Sequence, residues 1–140
     1  MNLTYEKNIT YEDYKQLRAA VNFREVSERQ YKIGIKNTNY ISVIKKDGKA
    51  IGMIKGLGDG GYYWFLSDLI VHPDYQGQGL GKKLIEDFLL YVENQTEPGE
   101  KYAIHLASSK GKEKFYEKFG FKIRPFESYG AGMSRFYEKD

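Results

Sequence analysis

The clearest chemical signal in this chain is the run Gln76-Gly77-Gln78-Gly79-Leu80-Gly81-Lys82-Lys83. Alternating glycines let successive backbone N–H groups turn toward one point, and a helix starting just after them aims its positive end there. That combination suits a phosphate or pyrophosphate. Spacing separates the phosphate loops that could be meant. A Walker loop needs glycine at 76 and a hydroxyl at 83, where this chain has Gln76 and Lys83, so it lacks the Mg²⁺-binding hydroxyl. A dinucleotide fingerprint needs G-x-G-x-x-G tight against a strand. Here the pattern is G-x-G-x-G, separated from Val71 by five residues. What remains is a glutamine followed by a cradle for an anion.

Lysines support that reading. Lys82 and Lys83 fall in the first turn of the helix expected after the loop, and Lys110 and Lys112 in the first turn of the next. Positive side chains oppose the macrodipole there unless an anion sits between them. A Lys-rich chain also places lysines everywhere, so this is corroboration only.

The elements that must position this loop follow from periodicity. Leu3 to Glu6 reads as a first strand, and Thr10 as the cap of a helix with Tyr14, Leu17 and Val21 on one stripe. Residues 22–38 are ambiguous and read as a second short helix and a loop. Tyr40 to Lys45 and Ala50 to Lys55 form a hairpin about Lys46-Asp47-Gly48-Lys49, and the glycine-rich stretch 56–61 leads to a central strand, Tyr62 to Val71. Leu80, Leu84, Ile85, Phe88, Leu89 and Val92 mark an amphipathic helix. Tyr102 to Ala107 reads as a strand, and Ser108 and Ser109 as caps of a helix carrying Phe115, Tyr116 and Phe119 that stops at Gly120. Phe121 to Arg124 and Met133 to Tyr137 are expected as closing strands. This order specifies an α/β domain, an antiparallel meander feeding one βαβ unit, over the whole span 1–140.

Composition narrows the function classes. The chain has 140 residues, 22 Lys and Arg against 19 Asp and Glu, and a net charge of +3. That size suffices for one core without staples. With no cysteine, disulfides, thiolate zinc sites, iron–sulfur clusters and thiol nucleophiles are excluded, and no metal is expected. The N-terminal residues carry no apolar run of signal-peptide type, and the longest elsewhere, Tyr62 to Leu66, is far short of a membrane span. A cytoplasmic protein without membrane contact is expected. Its 17 lysines are scattered, which points to a small anionic ligand rather than nucleic acid.

With these residues in place, 69–81 (Leu-Ile-Val-His-Pro-Asp-Tyr-Gln-Gly-Gln-Gly-Leu-Gly) resembles motif A of the GCN5-related N-acetyltransferase (GNAT) superfamily, Q/R-x-x-G-x-G/A after a strand. Phe115-Tyr116-Glu117-Lys118-Phe119-Gly120-Phe121 resembles the family's FYxxxGF element at the expected distance. The resemblance implies a GNAT fold: a mixed, mostly antiparallel sheet with splayed central parallel strands and helices on both faces. It implies acetyl-CoA as co-substrate, with the pantetheine arm along backbone groups of Leu69, Ile70 and Val71. A β-bulge there would aim an N–H at the developing oxyanion. Main-chain groups of Gln76, Gly77, Gln78, Gly79, Leu80, Gly81 and Lys82 would hold the pyrophosphate. Ser109 stands where the family often has asparagine.

The resemblance also casts Tyr116 as the acid that protonates the departing thiolate. A phenol of reference pKa about 10 is protonated at neutral pH, as that role needs. Some relatives use a glutamate base on a strand, but Ile104 occupies the matching position. Asp68 is the first candidate base, with Asp59, His105 and Glu25 behind it, and His72 is expected to shape the turn before Pro73. Without cysteine, direct attack in a ternary complex is expected.

The acceptor side is expected from Arg24 to Tyr31, the loop Gly56 to Gly61 and Arg124 to Arg135, with Tyr62, Tyr63, Trp64, Phe65, Phe126 and Tyr129 as candidates to frame an aromatic or alkyl amine. The expected acceptor is therefore a primary amine of a small molecule. The alternatives are a protein or peptide amine, and a non-catalytic acyl-CoA sensor. Homodimers are frequent among such relatives.

Overall fold

The computed structural model describes residues 2–140. It divides into two compact units, one ending at His105 and the other running from Leu106 to Asp140.

The first unit is a five-stranded sheet in the order β1-β2-β3-β4-β5. Its strands are β1 (Leu3–Glu6), β2 (Tyr40–Lys46), β3 (Lys49–Gly58), β4 (Tyr63–Val71) and β5 (Ala103–His105). The first four pair antiparallel and β4 pairs parallel with β5. The β2–β3 hairpin turns on Asp47 and Gly48, with φ of 51° and 82°. Two positive φ angles match the right-handed twist of the flanking strands.

Three helices flank the sheet: α1 (Tyr11–Ala20), α2 (Glu28–Lys36) and α3 (Leu80–Asn94). Thr10 caps α1 by accepting from Asp13 N at 3.1 Å. The ambiguity over residues 22–38 resolves into α2, opened by a capping box. Ser27 Oγ accepts from Gln30 N at 3.1 Å, and Gln30 Oε1 accepts from Ser27 N at 3.0 Å. Tyr14, Leu17 and Tyr31 of α1 and α2 pack with Val43, Met53 and Ile70 on one face. The other face takes α3, and β3 makes room for it with a glycine: a Cβ on Gly56 would stand 2.2 Å from Phe88 Cε1. Helices therefore lie on both faces, as the fold class requires.

One irregularity decides how β4 presents its side chains. Met53 pairs with Ile70 but Lys55 with Ser67, so one residue of β3 opposes two of β4, Asp68 and Leu69. This is a β-bulge, and Asp68 sits in it at φ 48°. One extra residue inverts the alternation beyond it. Accordingly Trp64 packs against Phe88 of α3, whereas Ile70, of the same parity, joins the cluster under α1.

The second unit holds one short helix, α4 (Glu113–Glu117), and a single bridge between Phe126 and Tyr129. Three expectations are corrected here. Ser108 and Ser109 do not cap the helix: Gly111 at φ 90° interposes a turn, and Lys112 is the N-cap residue. Phe121 to Arg124 and Met133 to Tyr137 form no strand. Met133, Phe136 and Tyr137 are 95%, 71% and 75% exposed, so that segment has no buried face to select a strand register. The strand expected over Tyr102 to Ala107 is confined to Ala103–His105.

Candidate active site

β4 and β5 pair only through Tyr63↔Ala103, Trp64↔Ile104 and Phe65↔His105. β4 then continues to Val71, and among the described residues no strand pairs with its far edge over 66–71. Leu69, the second residue of the bulge, and Ile70 and Val71 after it thus lie on a backbone edge that is open on one side. An unpaired edge offers alternating donors and acceptors to an extended ligand. This fits an amide-bearing arm such as pantetheine.

Beyond Val71 the chain turns through Pro73–Tyr75, where His72 Nδ1 accepts from Asp74 N at 3.1 Å, the turn-shaping role expected of it. Gln76 Nε2 then donates to the Val71 carbonyl at 2.9 Å, tying the loop back to the end of β4. The glutamine therefore braces the loop and leaves its main chain available. Gly77 and Gly79 take φ of 79° and 81°, and α3 begins at Leu80 with no side chain capping its first turn. The uncapped N–H groups at a helix start suit an anion. Gln78 and Lys82 are exposed alongside. The residues present fit a pyrophosphate.

Asp68 lies at the centre of a buried polar cluster that the sequence did not reveal. Its carboxylate accepts from Arg18 Nη1 of α1 at 2.6 Å, pairs with Lys55 Nζ of β3 at 3.5 Å, and accepts a short hydrogen bond from the Tyr14 hydroxyl. Lys55 Nζ also donates to that hydroxyl at 2.9 Å. Burial, and then the neighbouring Asp68 charge, hold the Tyr14 phenol well above the ordinary tyrosine pKa, so it stays a donor. For Arg18, burial opposes the charge, but Asp68 and the tyrosines outweigh it and the guanidinium pKa rises. Arg18 also donates to the Arg24 carbonyl at 2.5 Å, which joins the α1–α2 connection to the bulge.

The other base candidates are dispersed. Asp59 Oδ1 accepts from Gly61 N at 2.8 Å and Tyr63 N at 3.3 Å, so it fastens the glycine-rich loop. Glu25 pairs with Lys15 on the surface at 3.3 Å. His105 stacks on Tyr63, ring centroids 6.5 Å apart. Trp64 is core, whereas Tyr62, Tyr63 and Phe65 are exposed.

In the second unit, Tyr116 is partly buried, and that burial raises its phenol pKa. Phe121 N donates to Tyr116 O and Gly120 N to Glu117 O, with Gly120 at φ 88°. These two bonds form a Schellman stop, and the Tyr116 and Phe121 rings meet across it at 6.1 Å. The glycine and second aromatic of the FYxxxGF element therefore serve to end α4. Ser109 is exposed, and its carbonyl accepts from Lys112 N and from the Ser108 hydroxyl.

Comparison with known proteins identifies the family and the fold. Residues 37–123 match the family model described as an Acetyltransferase (GNAT) domain. The uncharacterized N-acetyltransferase ycf52 of Pyropia yezoensis is 32% identical over 123 residues, which cover 85% of this chain and 68% of that protein. A probable acetyltransferase from meticillin-resistant Staphylococcus aureus superposes with a TM-score of 0.85 at 27% identity, covering 96% of this chain and 99% of the other. A GNAT-family acetyltransferase from Streptococcus pneumoniae gives 0.76 at 25% identity, covering 99% and 98%.

Proposed function

The chain belongs to the GNAT family of N-acetyltransferases, and we propose that it moves the acetyl group of acetyl-CoA to a primary amine of a small molecule by direct attack in a ternary complex. One observation carries this reading: β4 loses its parallel partner after Phe65, immediately before a bulge, and runs on to a glycine loop that opens an uncapped helix. Acetyl-CoA supplies the activated acyl thioester. The chain's own residues bind and orient it. Leu69, Ile70 and Val71 offer the open edge to the pantetheine arm, and the loop from Gln76 to Lys82 offers its main-chain N–H groups to the pyrophosphate. Ser109 is carried as a further contact by its motif position alone.

The Leu69 N–H is the proposed donor to the carbonyl oxygen as negative charge develops there. Attack of the neutral amine forms the C–N bond as the C–S bond breaks. The excess amine proton leaves to solvent, and the thiolate takes a proton from Tyr116, a role proposed from the motif and from a phenol that burial keeps protonated. The phenolate then regains a proton from solvent. Asp68 is proposed as a positioning residue instead of the base first considered. Its two carboxylate oxygens are already engaged by Arg18, Lys55 and the Tyr14 hydroxyl. With no cysteine in the chain, an acetyl-cysteine intermediate is ruled out.

Among the described residues no helix is long and apolar enough to cross a membrane, and a cytoplasmic location is part of the proposal. The test is thiol release from acetyl-CoA with aryl, polyamine, amino-sugar and peptide amines, read with intersecting or parallel double-reciprocal lines. Turnover confined to peptide or protein amines overturns the small-molecule reading. Parallel lines overturn direct transfer.

A further inference from the structure

The sheet face that carries Lys55 is only partly covered. Gly56 and Trp64 turn toward Phe88 of α3, so Lys55, Tyr63, Phe65 and Ser67 present the opposite face, the one that bears α1. Near the bulge, α1 covers it with Tyr14 and Arg18. Toward the β5 side it is open: Tyr63 is 60% exposed and Phe65 41%, with His105 stacked on Tyr63. Lys55 is registered with Ser67, and Phe65 lies two residues further along the same strand, roughly 7 Å away at the usual strand rise. An aromatic shelf and a buried cation thus adjoin on one face, beside the bulge where transfer is proposed.

The charges of the buried cluster do not cancel. Arg18 and Lys55, with side chains 16% and 10% exposed, share the single carboxylate of Asp68, and among the described residues no second carboxylate pairs with either. Tyr14 stays neutral. The groups facing Lys55 are therefore Tyr14 and Arg18 from α1 and Asp68 from β4, and their sum with Lys55 is one positive charge in a place where solvent screens it weakly. A neighbouring ammonium is disfavoured by that charge. A neutral amine is not.

We propose that this face is the acceptor subsite and that it selects an aromatic amine of low basicity, with Phe65 and Tyr63 under the ring and the Lys55 charge excluding the ammonium form. This rests on the acetyl-transfer reading above and deepens it. It also bears on the unassigned base. An amine near the α-amino range, about 7.7–8.0, reaches its neutral form near physiological pH, whereas one near 10.4 is neutral in only about one molecule in a thousand at pH 7.4. An acceptor of the first kind needs no strong base from the protein.

The test measures kcat/KM at pH 7.5 for 4-methylaniline, phenylalaninamide, 2-phenylethylamine and n-hexylamine in the wild type and in Lys55→Met, Lys55→Arg and Phe65→Ala. The wild type is expected to favour phenylalaninamide over 2-phenylethylamine by at least 100-fold. Lys55→Met is expected to shrink that ratio at least tenfold and Lys55→Arg to restore it, while Phe65→Ala raises KM at least fivefold for the aromatic probes and leaves acetyl-CoA affinity unchanged. A ratio that stays the same in Lys55→Met overturns the proposal. Should that variant not fold, Phe65→Ala decides: an unchanged aromatic KM, or n-hexylamine turned over as well as the aromatic probes, overturns it too. Thiol release with polyamines or amino sugars but with no aromatic probe sinks this inference alone. Acetyl-CoA binding with no small amine acetylated sinks the reading beneath it.

Discussion

Arg18 Nη1 stands 2.6 Å from Asp68 Oδ1, and through this contact helix α1 holds the residue that sits in the left-handed region at the β4 bulge. A non-glycine residue at positive φ stores about 1–3 kcal/mol and persists only where its surroundings over-determine it. Here the side chain is 6% exposed and fixed by three partners. The bulge is therefore maintained from α1 and β3, not by β4 itself.

Removing the carboxylate should expose that dependence. Asp68→Ala leaves Arg18 and Lys55 buried without their anion, and the expected loss of stability is about 3–5 kcal/mol in urea unfolding. In a double-mutant cycle, Arg18→Met and Asp68→Asn should be less than additive by about 1 kcal/mol or more. Additive effects would show that the pair does not act as a unit.

Tyr14 predicts an alkaline loss of stability. Its phenol pKa is raised in the folded protein, by burial first and the Asp68 charge second. The unfolded chain releases this proton near pH 10 while the folded chain keeps it, so the folded state binds more protons above that pH. Stability is then fully present below about pH 10 and falls as pH rises past it. The unfolding free energy of wild type minus that of Tyr14→Phe, measured from pH 8.5 to 11, should be flat at first and then decline. A flat difference throughout would overturn the assignment.

This cluster also marks where the sequence stopped being readable. Strand and helix positions followed from local signals: Asp47-Gly48 for the hairpin, Thr10 for α1, the Leu80-to-Val92 stripe for α3. The bulge was legible only through the family resemblance, and the pairing of Lys55 with Asp68 was not legible at all. Lys55 lies in the apolar run 50–57 and Asp68 in the run 62–71. A charge inside such a run is rarely buried without a partner, and that was the available signal. Which partner it meets depends on a register that shifts by one residue between them, and on Arg18, four residues after Tyr14 on α1. At the C-terminus the reverse occurred. Aromatic content suggested strands over 121–124 and 133–137, but aromatic propensity makes no strand without a neighbouring strand and a face to bury.

The anion cradle gives a prediction that separates backbone from side chain. At Gly79, φ is 81° and a Cβ would meet nothing within 4 Å, so any penalty for substitution is conformational and not steric. Gly79→Asn should be tolerated because asparagine visits the left-handed region, whereas Gly79→Val should weaken acetyl-CoA binding by tenfold or more in calorimetric titration. Equal affinities for the two variants would mean that the left-handed turn does not shape the site.

Tyr116 tests the chemistry most directly. Burial raises its pKa, so the group is a protonated donor across the neutral range and any rate limb due to its ionisation lies above pH 10. Tyr116→Phe keeps the ring that meets Phe121 and leaves the Gly120 helix stop intact, while removing only the hydroxyl. If the phenol protonates the leaving thiolate, kcat should fall about 10²–10⁴-fold with acetyl-CoA affinity nearly unchanged. The defect should shrink with thioesters whose thiol is more acidic, because a better leaving group needs less help from an acid. An unchanged kcat, or a defect insensitive to the leaving thiol, would remove Tyr116 from the proton-donor role and leave it as the aromatic member of the α4 stop.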